Sequence, residues 1–197
     1  MKKLSLGIVL FVLALLPVRL SGQSFSALWK QADDAAVKDL PKTQISLLEK
    51  IEAKAEAEKS YGHLLKAVLL KTRLTSAISP DSLHDAVGRM ERSCGEATEP
   101  VLKAVYAAVL HRIYTENQQL DDSAKVIAQK YGRMAMANPK ALAAVKSDVF
   151  EPMVIEGYNG KIFDNDMLSV VGYEVGDFKT LYDYYYSAGN RQAACLS

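Results

Sequence analysis

The sequence predicts an all-α protein built from antiparallel helical hairpins, in a tetratricopeptide-like array or a bundle. Apolar residues recur at spacings of three and four through nearly all of the chain beyond its N-terminal segment, which is the period of an amphipathic helix. Short breaks containing proline, glycine or asparagine separate these stretches, and short connections favour antiparallel neighbours. No clean repeat of the tetratricopeptide length is present, so the repeat arrangement stays an expectation.

Residues 1–22 have the layout of a secretory signal peptide. Lys2 and Lys3 form a basic start and an apolar run covers 4–16, followed by small residues. The run is shorter than the roughly 20 residues that cross a bilayer, and a signal anchor is the alternative. We therefore expect an exported product, periplasmic or extracellular, with a helical domain over 23–197 and no stable membrane insertion after cleavage.

The charge balance of the exported part argues against nucleic acid as a partner. Losing Lys2, Lys3 and Arg19 removes three positive charges from the formal charge of +1, which leaves −2. A nearly neutral domain lacks the positive charge that attracts nucleic acid or an anionic membrane.

The two cysteines, Cys94 and Cys195, would meet an oxidising compartment after export. They could form a disulfide, or they could remain two buried free thiols, and the sequence leaves both alternatives open.

Five helices are predicted in the first part of the domain. Ser24 or Ser26 can cap the first one. It ends at Leu40, because a residue before proline is driven out of the helical region, and Pro41 suits the first turn of the next helix. The fifth segment has the broadest apolar face. The segments are "SFSALWKQADDAAVKDL", "PKTQISLLEKIEAKAEAEK", "SYGHLLKAVLLKTRLTSA", "SPDSLHDAVGRMERSCG" and "TEPVLKAVYAAVLHRIYTENQ".

The second part continues with helices but contains one interruption. "LDDSAKVIAQKYG" and "NPKALAAVKSD" are shorter helices, the latter with Asn138 as a cap before Pro139. In "EPMVIEGYNGKIFDND", apolar triplets flank a stretch bounded by two glycines. This pattern predicts a short β-hairpin near 153–163 or an irregular docking loop. The helices resume with "DMLSVVGYEVG" and "DFKTLYDYYYSAGN".

One short motif resembles a reactive site but lacks its essential group. "SCGEAT" covers Ser93–Thr98, and internal thioesters carry Cys-Gly-Glu-Gln, in which the glutamine side chain acylates the cysteine. Ala97 stands at the glutamine position and has no carboxamide, so no thioester can form. We expect an ordinary turn between helices, with Gly95 as a C-terminal cap.

The histidines and Cys94, which have reactive or metal-binding side chains, do not form a recognisable active site. His63, His84 and His111 fall on separate predicted helices without the close spacing of zinc ligands. Cys94 could approach a histidine only through helix packing, and the sequence shows no third residue that would orient such a pair. We therefore expect no catalytic residue, no metal and no cofactor, and a protein that is not an enzyme.

A tyrosine run near the C-terminus is the strongest candidate contact surface. Tyr182, Tyr185 and Tyr186 lie within two turns of one predicted helix. Tyrosines can form a face for a protein partner or a sugar, or they can pack against the next helix. Gly189-Asn190 is expected to end this helix, and "RQAACLS" to start a partner helix that is cut short. In that case Leu181 and its neighbours lack part of their packing surface.

Two stretches carry a family resemblance. "ALWKQADDAAVKDLPKTQISLLEKIEAKAEAEKSYGHLLKA" and "DNDMLSVVGYEVGDFKTLYDYYYSAGNRQAACLS" resemble the N-terminal helical region of bacterial alpha-2-macroglobulin-like proteins of the Bacteroidetes type. The resemblance implies a very long exported protease trap, with its macroglobulin domains, bait region and any thioester beyond Ser197. No functional residue of that family maps onto this chain, and proteases would be indirect targets, met by the parent protein.

Three hypotheses follow. The first is a non-enzymatic helical interaction module, truncated at its C-terminus, whose partner is a protein or the rest of a longer parent chain. The second is a free-standing periplasmic helical-repeat adaptor that binds a protein partner. The third is a small helical enzyme or ligand binder that uses the tyrosine surface.

Overall fold

The computed structural model describes residues 23–79, 82–155 and 157–197, and these parts of the chain are helical without a strand. This confirms the all-α prediction. The predicted signal peptide over 1–22 lies outside the described residues. The ten α-helices of the described parts are α1 (Phe25–Val37), α2 (Pro41–Glu58), α3 (Tyr61–Ile78), α4 (Ser82–Glu96), α5 (Pro100–Glu116), α6 (Ala124–Ala135), α7 (Pro139–Ala143), α8 (Met167–Val175), α9 (Phe178–Ser187) and α10 (Arg191–Leu196).

Local capping signals set several helix boundaries. The Ser24 side chain accepts a hydrogen bond from the backbone N–H of Ala27 at 3.2 Å and caps α1. Pro41 is the first residue of α2, where its missing N–H costs nothing. The Asn138 side chain accepts from the N–H of Ala141 at 3.1 Å and caps α7 in the same way. These three predicted helix starts are confirmed.

The interruption between α7 and α8 is not a β-hairpin. The backbone groups of its described residues form hydrogen bonds within turns. The N–H groups of Met153 and Val154 both donate to the carbonyl of Phe150, at 2.9 and 3.0 Å. A 3₁₀ turn occupies Gly160–Phe163. The backbone groups that a hairpin would pair across strands are thus used within turns, and the prediction of a hairpin near 153–163 was wrong.

Gly95 also differs from its prediction. It lies inside α4, which continues to Glu96, and is not a C-terminal cap. Left-handed glycines occur elsewhere, at Gly176 after α8 and at Gly189 after α9, where φ is +81°. The latter confirms the predicted end of the tyrosine helix.

The helices pack mostly on their neighbours along the chain, as a hairpin-like array. α1 packs on α2, α2 on α3, α5 on α6 and α9 on α10, while α8 crosses back onto α5. One large apolar core extends from α3 to α10. Smaller separate clusters form between α1, α2 and α3, around Leu28, Leu48 and Ala32. No helix in the described ranges is long and apolar enough to cross a membrane.

A close backbone approach joins α3 to the loop before α8. A Cβ atom on Gly62 would lie 2.1 Å from the carbonyl oxygen of Glu151 and 2.4 Å from that of Phe150. Only glycine therefore allows the loop to rest directly on α3. Phe150 is fully buried at this junction, so the contact fixes the position of the loop against the helices.

We expect Gly62→Ala to destabilise the fold by about 3 kcal/mol, because the added methyl group meets backbone atoms that cannot rotate away. Gly95→Ala is the matched control, since a Cβ there meets nothing within 4 Å. In a helix this change should leave stability equal or raise it by up to about 1 kcal/mol. Urea unfolding of both variants measures the difference, and a Gly62→Ala protein as stable as the Gly95→Ala protein would refute the close contact.

Candidate functional site

Three exposed rings form a row on α9, which we call the aromatic stripe. Phe178, Tyr182 and Tyr186 follow one another at a spacing of four residues, and their exposed fractions are 47%, 46% and 59%. The rings of Tyr182 and Tyr186 are stacked, with centroids 5.6 Å apart and planes 17° apart. This row places aromatic surface in water along the length of the helix.

The stripe continues onto neighbouring helices. The Tyr173 ring on α8 meets the Phe178 ring edge-on, with centroids 5.6 Å apart. The Tyr173 hydroxyl donates a hydrogen bond to the backbone carbonyl of Leu196 on α10. Tyr173 and Leu196 are themselves partly exposed. The apolar surface therefore extends from α9 across α8 to α10.

Tyr185 does not belong to this face. It is 3% exposed, and its hydroxyl donates to the buried Asp166 carboxylate, with Oδ1 at 2.8 Å. The same Oδ1 accepts the N–H of Ser169 at 2.9 Å and thereby caps α8. Leu181 is also fully buried. The expectations that Tyr185 contributes to a contact face, and that Leu181 lacks packing surface, were therefore wrong: this side of α9 is packed on α8.

The Tyr185–Asp166 pair has perturbed proton affinities. Burial raises the pKa of Asp166, although the bonds from Ser169 and Tyr185 oppose this by favouring the carboxylate. Burial also raises the pKa of Tyr185, and the adjacent carboxylate adds to that effect. The phenol is thus held protonated as a donor, which suits a structural bond.

The two cysteines are free and lie in different environments. Cys94 is buried and Cys195 is exposed, so they form neither a disulfide nor a pair of buried thiols. Burial raises the pKa of the Cys94 thiol, which disfavours the thiolate that a nucleophile requires.

The described residues contain no group of histidine, cysteine, aspartate and glutamate side chains that could hold a metal ion.

The three histidines are not brought together. His63 stacks on Phe25 with centroids 3.8 Å apart and accepts the indole N–H of Trp29 on Nδ1 at 2.8 Å. Its pKa is lowered chiefly by burial, consistent with a neutral ring that accepts this bond. Nδ1 of His111 lies 2.8 Å from a carbonyl of α6. His84 lies on the surface, with Nε2 3.3 Å from the carbonyl of Leu120. Each histidine has its own structural contact.

A half-buried carboxylate–tyrosine cluster went unnoticed in the sequence. The hydroxyls of Tyr114 and Tyr131 both donate to Oε1 of Glu91, at 3.0 and 2.9 Å, and their rings stack. Burial and the Glu91 carboxylate raise the pKa of Tyr114 to about 12. The cluster joins α4, α5 and α6. No spacing signal marks it, because its members are brought together only by packing.

Two cavities accompany these features. An apolar groove of about 460 Å³ runs between α5 and α8, with Met153 and Val154 on one wall. At its mouth Arg112 bonds Glu116 at 2.9 Å and Glu174 at 3.3 Å. A second cavity of about 150 Å³ is lined by polar side chains of α2, α3, α4 and α5.

Comparison with known proteins does not identify a family for this chain. No protein-family model, no curated protein and no solved structure matches this chain.

We expect Tyr185→Phe to destabilise the protein by about 1–3 kcal/mol, because the buried Asp166 carboxylate loses a hydrogen-bond donor. Tyr186→Phe is the matched control, since its ring is exposed on the same helix and its change should stay within about 0.5 kcal/mol. Thermal and urea unfolding provide the comparison. Equal stability of the two variants would mean that the hydroxyl of Tyr185 does not hold α9 to α8.

Proposed function

We propose that this chain is a non-enzymatic helical interaction module, and that the aromatic stripe on α9 is its contact face. One observation carries the proposal: the ordered row of Phe178, Tyr182 and Tyr186, about half exposed on a helix whose opposite side is packed. Isolated exposed rings are ordinary, but a contiguous aromatic surface is typical of a binding surface.

The chemistry of the stripe favours a protein as its partner. Tyrosine offers a large apolar ring and a hydroxyl that can hydrogen-bond at the edge of an interface. Aromatic residues are enriched in interface cores, whereas Lys and Glu are depleted there. The stripe matches this composition, and the ion pair of Lys179 with Asp183 lies beside it on α9 as a polar rim.

We further propose that the module belongs to an exported alpha-2-macroglobulin-like protease trap, and that the rest of the parent chain covers the stripe. The support is the sequence resemblance of its first and last helical segments. Inhibition would then reside in the parent, with proteases as indirect targets, because this chain has no thioester motif. The alternative is a free-standing periplasmic adaptor that presents the same stripe to a separate protein.

Hydroxyl-radical footprinting tests the contact face. We compare the isolated chain with the protein purified from the cells that naturally export it. Oxidation of Tyr182 and Tyr186 should fall several-fold in the native sample, because a partner excludes water from their rings. Tyr158 is an internal control, since it is fully exposed in the loop before α8 and is not part of the stripe, so it should oxidise equally in both samples.

Equal oxidation of the stripe in both samples would contradict the proposed contact face. When protection is observed, denaturing mass analysis separates the two versions of the proposal. A single native polypeptide longer than this chain supports the parent trap, whereas a separate second protein supports the adaptor.

A further inference from the structure

The polar cavity is distinct from the aromatic stripe and is built by four helices. Glu52 of α2, Lys71 of α3, Arg89 of α4 and Tyr106 of α5 all line it. Apolar residues of α3 and α4, among them Val68, complete the wall. Charged groups from separate helices thus converge on one small space, in a region where most packing is apolar.

Its inner end contains an incompletely bonded carboxylate. Oε2 of Glu52 pairs with the Lys71 ammonium, and both side chains are largely buried. Oε1 of Glu52 is inaccessible to solvent and has no hydrogen-bond partner among the described residues. Burying a carboxylate oxygen without a hydrogen-bond donor costs folding free energy. A donor group from outside the chain would therefore stabilise this atom. Tyr106, only 6% exposed, lines the same cavity.

The outer end presents charges of both signs. Arg89 and Glu56 line the cavity and are exposed. Within the described ranges neither is engaged in an ion pair, so the Arg89 guanidinium is available to a carboxylate. The four charged side chains at the cavity have no net charge, which suits a ligand that is itself neutral overall and carries separated charges.

The size of the cavity restricts the ligand further. About 150 Å³ corresponds to the liquid volume of roughly five water molecules. This is well below the roughly 300 Å³ at which pockets for drug-sized molecules begin. A molecule of roughly five to seven non-hydrogen atoms matches the space.

We propose that this cavity binds a small amino-acid zwitterion, with its ammonium group on Oε1 of Glu52 and its carboxylate on Arg89. A turn of the Glu52 carboxylate toward the cavity would bring Oε1 to the ammonium, which supplies the donor that this buried oxygen lacks, and Glu56 offers a second acceptor. The carboxylate meets the guanidinium at the mouth. Binding there would also tie α2 to α4 across α3, although the site is independent of the aromatic stripe.

Calorimetric titration of the whole chain tests the site with glycine, β-alanine and γ-aminobutyrate as probes, and with ethylamine and acetate as single-charge probes. At least one of the three amino acids should bind, and more tightly than either single-charge probe. Glu52→Gln and Arg89→Met should each weaken that binding by about tenfold or more, because each loses a charged hydrogen bond.

Arg92→Met is the matched control. Arg92 lies on the same helix and is exposed, but it does not line the cavity, so its loss should leave affinity unchanged. If Glu52→Gln does not fold, Arg89→Met decides, because its side chain is on the surface. Absence of binding by all three amino acids would mean that only water occupies the cavity. That result, or equal affinity of Arg89→Met and Arg92→Met, would overturn the proposal.

Discussion

The burial of α5 is the constraint on which the rest of the structure depends. Nine of its 17 residues are buried, on nearly every side of the helix, so other helices must surround it. Ala104, Ala107 and Ala108 keep its surface narrow and allow neighbours to approach closely. α4, α6 and α8 pack around it. Both cavities depend on this arrangement, because α5 lines the apolar groove and contributes Tyr106 to the polar one.

The candidate contact face follows from how α9 is attached to this body. α8 packs on α5, and the buried bond from Tyr185 to Asp166 fixes α9 on the first turn of α8. That bond, together with the packing of Leu181 against Gly172 of α8, sets the rotation of α9 about its own axis. Because a helix has opposite faces, burying Leu181 and Tyr185 turns Tyr182 and Tyr186 outward. The binding proposal therefore rests on how this face of α9 is packed in the core.

Local signals made most of the helices predictable, whereas long-range contacts made the site unpredictable. Ser24 and Asn138 act on backbone groups three residues away, so their capping roles can be read from the sequence. Tyr185 is buried by a partner 19 residues away, and nothing in the tyrosine run distinguishes it from Tyr186. The wrong prediction of a hairpin has the same origin, because Gly62 lies far along the chain from the loop that packs on it.

Hydrogen–deuterium exchange with mass spectrometry tests the central role of α5 most directly. Exchange of buried helical amides requires local or global opening, so it reports which elements hold the fold together. The account predicts that the amides of 104–110 exchange slowest, and that those of α1, which belongs to the smaller clusters, exchange first among the longer helices. Exchange in α5 as fast as in α1 would contradict the account.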